Sequence, residues 1–163
     1  MNPTLLKTAE NTVEHLKQRN LTVATAESCT GGLVAAALTS VSGVSQVFGL
    51  GITSYSCEIK HKVLGVESEI LEKFGAISEQ TADRMAENVR KKAGAEIGAS
   101  VTGVAGPSCS EGHPVGYIFI AVSGALGTKH ELLNLENKGR QAVREEAACN
   151  LLRLIDDYIK ELK

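Results

Sequence analysis

The chain has 163 residues, 43% of them hydrophobic, with sixteen glycines and only three prolines, enough to bury a sizeable core as one domain over residues 1–163. Seventeen basic and nineteen acidic residues are scattered along it for a formal net charge of −2, so no basic block points to nucleic acid or a membrane surface, and the partners implied are small molecules. The longest nearly apolar stretch, residues 115–126, is too short to span a bilayer, and the N-terminus lacks the basic-then-apolar order of a signal peptide, which together predict a cytoplasmic protein.

Pro3 near a helix start and Leu5, Leu6, Ala9, Val13 and Leu16 at three- and four-residue spacing predict a helix ending near Asn20. The run LTVATA (21–26), bounded on both sides and rich in small and β-branched residues, reads as a buried strand. Beyond two glycines, Leu33, Val34, Ala37, Leu38 and Val41 return to helical spacing. VFGLGITSYS (47–56) reads as a second strand whose glycines admit another backbone or a ligand. Ser68 and Ser78 are candidate N-caps. The first would start a short helix stopping at Gly75, and the second a helix stopping at Gly94 with Ala82, Met85, Ala86 and Val89 on its apolar side. EIGASVT (96–102), VGYIFIAVS (115–123) and KHELLNLE (129–136) predict three further strands, the last two joined as a hairpin, and helical spacing resumes from about Gln141. This alternation predicts an α/β chain: three-layer α/β/α with a mixed, mostly parallel sheet of about five strands.

Cys29, Cys57, Cys109 and Cys149 form no C-x-x-C pair, which fits reduced thiols better than a disulfide framework or a zinc site. In a sheet of this kind, ligands bind beyond the carboxyl ends of the parallel strands. ESCTGG (27–32) and TGVAGPSCSEGHP (102–114) occupy that position.

A serine between a strand and a helix start faces free N–H groups and the positive end of the helix dipole, which suits an anion or an oxyanion beside a nucleophile. The same residues also read as a cap, Ser28 or Thr30, followed by Gly31 and Gly32 that allow tight packing. A serine nucleophile needs a base, and no G-x-S-x-G elbow or His/Asp partner set is evident. Lys60 would serve only with a depressed pKa; by composition alone it reads as a solvated surface residue. Thr102, Gly103, Gly106 and Pro107 suggest a tight loop lining a small-molecule site. Arg140 and Arg144, one helical turn apart, read either as a grip for a phosphate or carboxylate or as a solvated face with Glu145 and Glu146.

Taken together, AESCTGG (26–32), YSCEIKHKVLGV (55–66), GAISEQTADRMA (75–86), TGVAGP (102–107) and PVGYIFIAV (114–122) resemble the CinA carboxy-terminal domain family in order and approximate spacing, over nearly the whole chain. The resemblance implies an amidohydrolase that converts nicotinamide mononucleotide to nicotinate mononucleotide and ammonia, in pyridine-nucleotide recycling, by a serine with a lysine rather than a Ser-His-Asp triad. Ser28 matches the nucleophile and Lys60 the lysine; Thr102 and Gly103 match a loop bounding the pocket, Tyr55 a polar wall, and Arg140 and Arg144 the basic residues expected at the nucleotide phosphate. In the mechanism so implied, backbone N–H groups near Gly31 and Gly32 stabilise the oxyanion, and no metal or organic cofactor is required. Cys29 is the chemical rival for nucleophile, although a thiol in a turn of small residues reads as buried packing. The chain departs from the family pattern at Cys57, Ser108, Cys109, His113, Lys138 and Gly139, all in loops expected to form the site. Those departures leave a catalytically silent nucleotide-binding or regulatory module as the alternative. A homo-oligomer is also compatible with the resemblance.

Overall fold

The computed structural model describes residues 1–162. Its strands are β1 (Val23–Glu27), β2 (Phe48–Thr53), β3 (Ile97–Gly103), β4 (Tyr117–Gly124) and β5 (Gly127–Asn134), forming one sheet in the order β2-β1-β3-β4-β5. β1 is parallel to both β2 and β3, and β4 is antiparallel to β3 and β5. The helices are α1 (Pro3–Gln18), α2 (Leu33–Thr39), α3 (Cys57–Lys62), α4 (Ser68–Phe74), α5 (Glu79–Ala93) and α6 (Arg140–Glu161). α1, α2 and α6 share a core with one face of the sheet, while α5 and the segment from α3 to α4 cover the other, giving the three-layer arrangement.

Strand alternation explains why the two faces differ. Val23, Ile118, Ile120 and Val122 point to α1 and α6, where Leu5, Leu16, Leu151 and Leu152 are also fully or almost fully buried; each such side chain contributes about 2 kcal/mol. Toward α5 the strands present Ala24, Ala26 and Ala121, with Gly98 and Ser100 at the centre. α5 therefore sits close to the sheet. A Cβ on Gly98 would lie 2.1 Å from the Ala86 carbonyl oxygen, and Ser100 Oγ donates to the Ala82 carbonyl at 2.6 Å. On the opposite side, Tyr158 fastens α6 to the β4–β5 turn, accepting from Leu126 N–H and donating to the Gly127 carbonyl, both at 2.8 Å.

Helix ends follow their capping chemistry. Asn2 accepts from Leu5 N–H at 2.8 Å ahead of Pro3, and Ser78 accepts from Thr81 N–H at 3.2 Å to start α5, which stops at Gly94 in the left-handed region. Two expectations change. The strand expected over 47–56 ends at Thr53, because Ser56 turns the chain into α3 by accepting from Ile59 N–H at 3.2 Å. Ser68 is the first residue of α4, and Glu67 holds the N-cap position. Among the described residues, no helix is long and apolar enough to cross a membrane.

The register brings the carboxyl ends of the parallel strands side by side, with Glu27 opposite Thr53 on β2 and Val101 on β3. Ser28 N–H continues this ladder to the Val101 carbonyl at 2.9 Å, and Ser54 N–H to the Glu27 carbonyl at 2.8 Å. Both serines are thereby fixed at one edge. Replacing Gly98 with alanine forces α5 off the sheet, and we expect a loss of about 3 kcal/mol in stability, read as a lower urea midpoint at unchanged slope.

Candidate active site

Ser28 follows β1 directly and is buried. The loop behind it is organised by Glu27, whose carboxylate is 1% exposed. Its Oε2 accepts from Thr30 Oγ1 at 2.6 Å, Gly32 N–H at 3.0 Å and Val34 N–H at 3.1 Å, and its Oε1 accepts from Ala35 N–H at 2.9 Å. An internal carboxylate thus takes the place that a bound anion would fill at the start of α2. Gly31 and Gly32 adopt φ of +62° and +91°, a reversal open to glycine that folds the chain back far enough for Glu27 to reach residues seven and eight positions ahead.

These contacts reassign the oxyanion donors. Gly32 N–H is held by Glu27, and Gly31 N–H donates to the Ser28 carbonyl at 3.0 Å, so neither glycine is available in the expected role. The N–H groups of Cys29 and Thr30 donate to no backbone carbonyl among the described residues and face the Cys29 sulfur, a weak acceptor; the amide after a nucleophile is a standard oxyanion donor.

Lys60 lies on α3, with Nζ 2.9 Å from Ser28 Oγ and donating to the Ser54 carbonyl at 2.7 Å. It is 1% exposed, which corrects its reading as a solvated surface residue. Burial pushes its ammonium below the ordinary lysine range, against the opposing pull of Cys57, Cys29 and Glu111. A neutral amine within hydrogen-bond reach of a serine hydroxyl is the arrangement that a Ser/Lys acyl transfer needs. The rival thiol is disarmed: Cys29 is 5% exposed, and burial pushes it up to about 12, so it stays protonated.

Ser28 and Lys60 open into a cavity of about 310 Å³, also lined by Tyr55, Thr102, Gly103, Glu111 and Arg140. Thr102 Oγ1 donates to the Ala76 carbonyl at 2.7 Å, tying the end of β3 to the turn before α5. A Cβ on Gly103 would fall 2.5 Å from Ile118 Cα, so only glycine lets β3 and β4 close this wall. Arg140, the first residue of α6, donates to Tyr55 Oη at 2.8 Å and to the Gly106 carbonyl. Arg144 lies outside the wall. Its Nε and Nη2 donate to the Thr30 carbonyl at 3.1 and 2.6 Å, so it braces the Ser28 loop from the side of α6.

Of the departures from the family pattern, Cys57 and Ser108 reach the cavity wall. Cys109 is exposed, His113 stacks on Tyr117 with ring centroids 4.2 Å apart, Lys138 pairs with Glu136, and Gly139 precedes α6. Sequence reasoning missed Glu27 and Glu111. A charged residue closing an otherwise apolar strand was the available sign of the first; nothing distinguished the second. Among the described residues, no group of three His, Cys, Asp or Glu side chains is placed to hold a metal.

The fold and the site define a three-layer α/β/α domain with a buried serine–lysine pair at the carboxyl edge of its parallel strands. Residues 5–159 match the CinA C-terminal domain, and the chain belongs to that family. A competence-damage inducible protein of Acetivibrio thermocellus is 47% identical over 149 residues, which are 91% of this chain and 36% of that protein. One of Streptococcus pneumoniae is 42% identical over 143 residues, 88% of this chain and 34% of that protein. The chain thus spans about a third of the length of these curated relatives. Among solved structures, the competence/damage inducible protein CihA from Agrobacterium tumefaciens has a TM-score of 0.93 at 33% identity, over 99% of this chain and 98% of that one.

Burial separates the four thiols. Native alkylation with iodoacetamide followed by peptide mass spectrometry should modify Cys57 and Cys109, which are exposed, and spare Cys29 and Cys149, which are buried. Labelling of Cys29 in the folded protein would show that its thiol is not held inert.

Proposed function

We propose that the chain is an amidohydrolase acting on nicotinamide mononucleotide, with Ser28 as nucleophile and Lys60 as its base. The observation that carries this reading is the 2.9 Å approach of Lys60 Nζ, on a side chain only 1% exposed, to Ser28 Oγ. Family membership supports the same reading at the level of the domain.

In this mechanism Ser28 Oγ attacks the carboxamide carbon and its proton passes to neutral Lys60 Nζ. The Ser54 carbonyl holds one N–H of the amine, which leaves its lone pair free to face the hydroxyl. The developing oxyanion is met by the Cys29 and Thr30 N–H groups, which donate to no backbone carbonyl among the described residues. Lys60 then returns the proton to the departing nitrogen, the C–N bond breaks, and ammonia leaves an acyl-serine. Water adds to that ester with Lys60 again as base, releasing nicotinate mononucleotide and restoring Ser28. Arg140 is the group for the phosphate, since it is the cation on the wall and guanidinium matches phosphate geometry.

The test is ammonia release from nicotinamide mononucleotide by wild type, Ser28→Ala and Lys60→Ala, each checked for folding by circular dichroism. Loss of about 10³-fold in either variant is expected. Full turnover by a folded Ser28→Ala protein would exclude the serine mechanism, and wild-type binding without ammonia release would select the silent nucleotide-binding module instead.

The pH dependence has a defined sign. Lys60 acts as base only when neutral, so kcat/KM rises with pH along an acid limb. Because burial lowers the amine from its ordinary 10.5, that limb falls below the ordinary lysine value. A profile still rising through 10.5 would mean that Lys60 is not the depressed base.

A further inference from the structure

Besides Lys60, the cavity wall carries two charged side chains, Arg140 and Glu111. Arg140 gives two donors to uncharged acceptors, Tyr55 Oη and the Gly106 carbonyl. Glu111 receives one hydrogen bond, from Ile77 N–H to Oε2 at 3.2 Å. Among the described residues neither takes part in an ion pair. Lys60 shares that wall, but burial drives it toward its neutral form, so it does not serve as their counter-charge.

Glu111 is held in place. Its carboxylate packs over the turn between α4 and α5, where a Cβ on Gly75 would come within 2.7 Å of Oε2, and its backbone takes φ of +50°. The second oxygen, Oε1, makes no hydrogen bond within the described residues. A carboxylate with a free oxygen, on the same wall as a guanidinium and an amine driven toward its neutral form, suits a ligand that carries both a cation and an anion.

The geometry points to Glu111 as a specificity-determining residue that selects a cationic ring: its carboxylate meets the pyridinium of the substrate while Arg140 takes the phosphate. This rests on the mononucleotide reading above. In nicotinamide mononucleotide the ring that bears the scissile carboxamide is also the ring that bears the positive charge. A carboxamide presented to Ser28 therefore brings that charge into the neighbourhood of Lys60, which it would depress further, and Glu111 lies near enough for its charge to be felt there. The carboxylate both attracts the ring and offsets its effect on the base. Because Glu111 is exposed, the attraction is screened, and its expected size is about tenfold in affinity at low salt.

The probe is a pair of ligands, nicotinamide mononucleotide and its reduced dihydro form, which keeps the phosphate, ribose and carboxamide but has an uncharged ring. Binding of each is measured by calorimetry on Ser28→Ala protein, which does not turn over, with and without Glu111→Gln. Glutamine keeps an acceptor for Ile77 N–H and removes only the charge. The expected result is about tenfold weaker binding of the pyridinium form, fading with added salt, and unchanged binding of the reduced form. Equal weakening of both ligands, or no weakening of either, would make Glu111 a piece of wall and overturn the assignment while leaving the mononucleotide reading standing. Failure of Ser28→Ala protein to bind either nucleotide would overturn that reading, and this assignment with it.

Discussion

The candidate site at the carboxyl edge of the parallel strands is arranged around one buried carboxylate. A short helix packed against a sheet leaves several N–H groups without acceptors at its start, and in a cavity-forming protein those donors would ordinarily attract an anion. Glu27 satisfies them from within, taking Gly32, Val34 and Ala35 N–H and the Thr30 hydroxyl at once. Removing it would strand these buried donors. The consequence for function is indirect but large. With the helix start internally capped, Ser28 is held at the sheet edge by its own ladder bond to Val101, and the Cys29 and Thr30 amides donate to no backbone carbonyl among the described residues. Arg144 completes the brace from the other layer through the Thr30 carbonyl.

A second constraint works against stability. Burying a lysine disfavours its charged form, so at any pH below its unfolded value the protein gives up folding free energy to keep Lys60 where it is. The folded pKa is the lowered one, so this cost shrinks as pH rises from the folded value toward 10.5. Among the described residues, Nζ has two close polar contacts, the Ser54 carbonyl and Ser28 Oγ. An amine with so little solvation is a poor structural element and a useful base. The same sheet edge therefore pairs a well-satisfied carboxylate with an under-solvated amine.

The large helices were legible because their periodicity agrees with burial: Leu5, Ala9, Val13 and Leu16 on α1 and Ala82, Met85, Ala86 and Val89 on α5 are all buried. α3 was not, for a physical reason. Its six residues, CEIKHK, invert the usual pattern, since Lys60 is the buried member while Ile59 and the following Val63 are 37% and 43% exposed. A rule that sends apolar residues inward cannot find such an element, and the strand expected over 47–56 ran into it. The pairing of Ser28 with Lys60 was legible through family resemblance alone, because nothing local connects residues 32 apart. Gly31, Gly32 and Arg144 do lie beside the Ser28 loop, but the Ser28 carbonyl, Glu27 and the Thr30 carbonyl already engage their hydrogen-bonding groups. Sequence shows which groups are present in a loop; it does not show which of them are already bonded.

The positions where this chain departs from the family pattern sort by the same criterion. His113 is committed to a stack on Tyr117 and Lys138 to a surface ion pair, so neither bears on the cavity. Cys57 and Ser108 do reach it, yet neither bonds to Ser28 or to Lys60 Nζ, whose polar contacts are Ser54 and Ser28 themselves. Ser108 thus bears on the outline of the pocket, whereas Cys57 also bears on Lys60 through its charge, opposing the fall in the amine's pKa. A domain that had lost its chemistry would have little reason to keep a desolvated lysine against a serine at the expense of its own stability. The buried pair is thus the feature on which the proposed turnover rests.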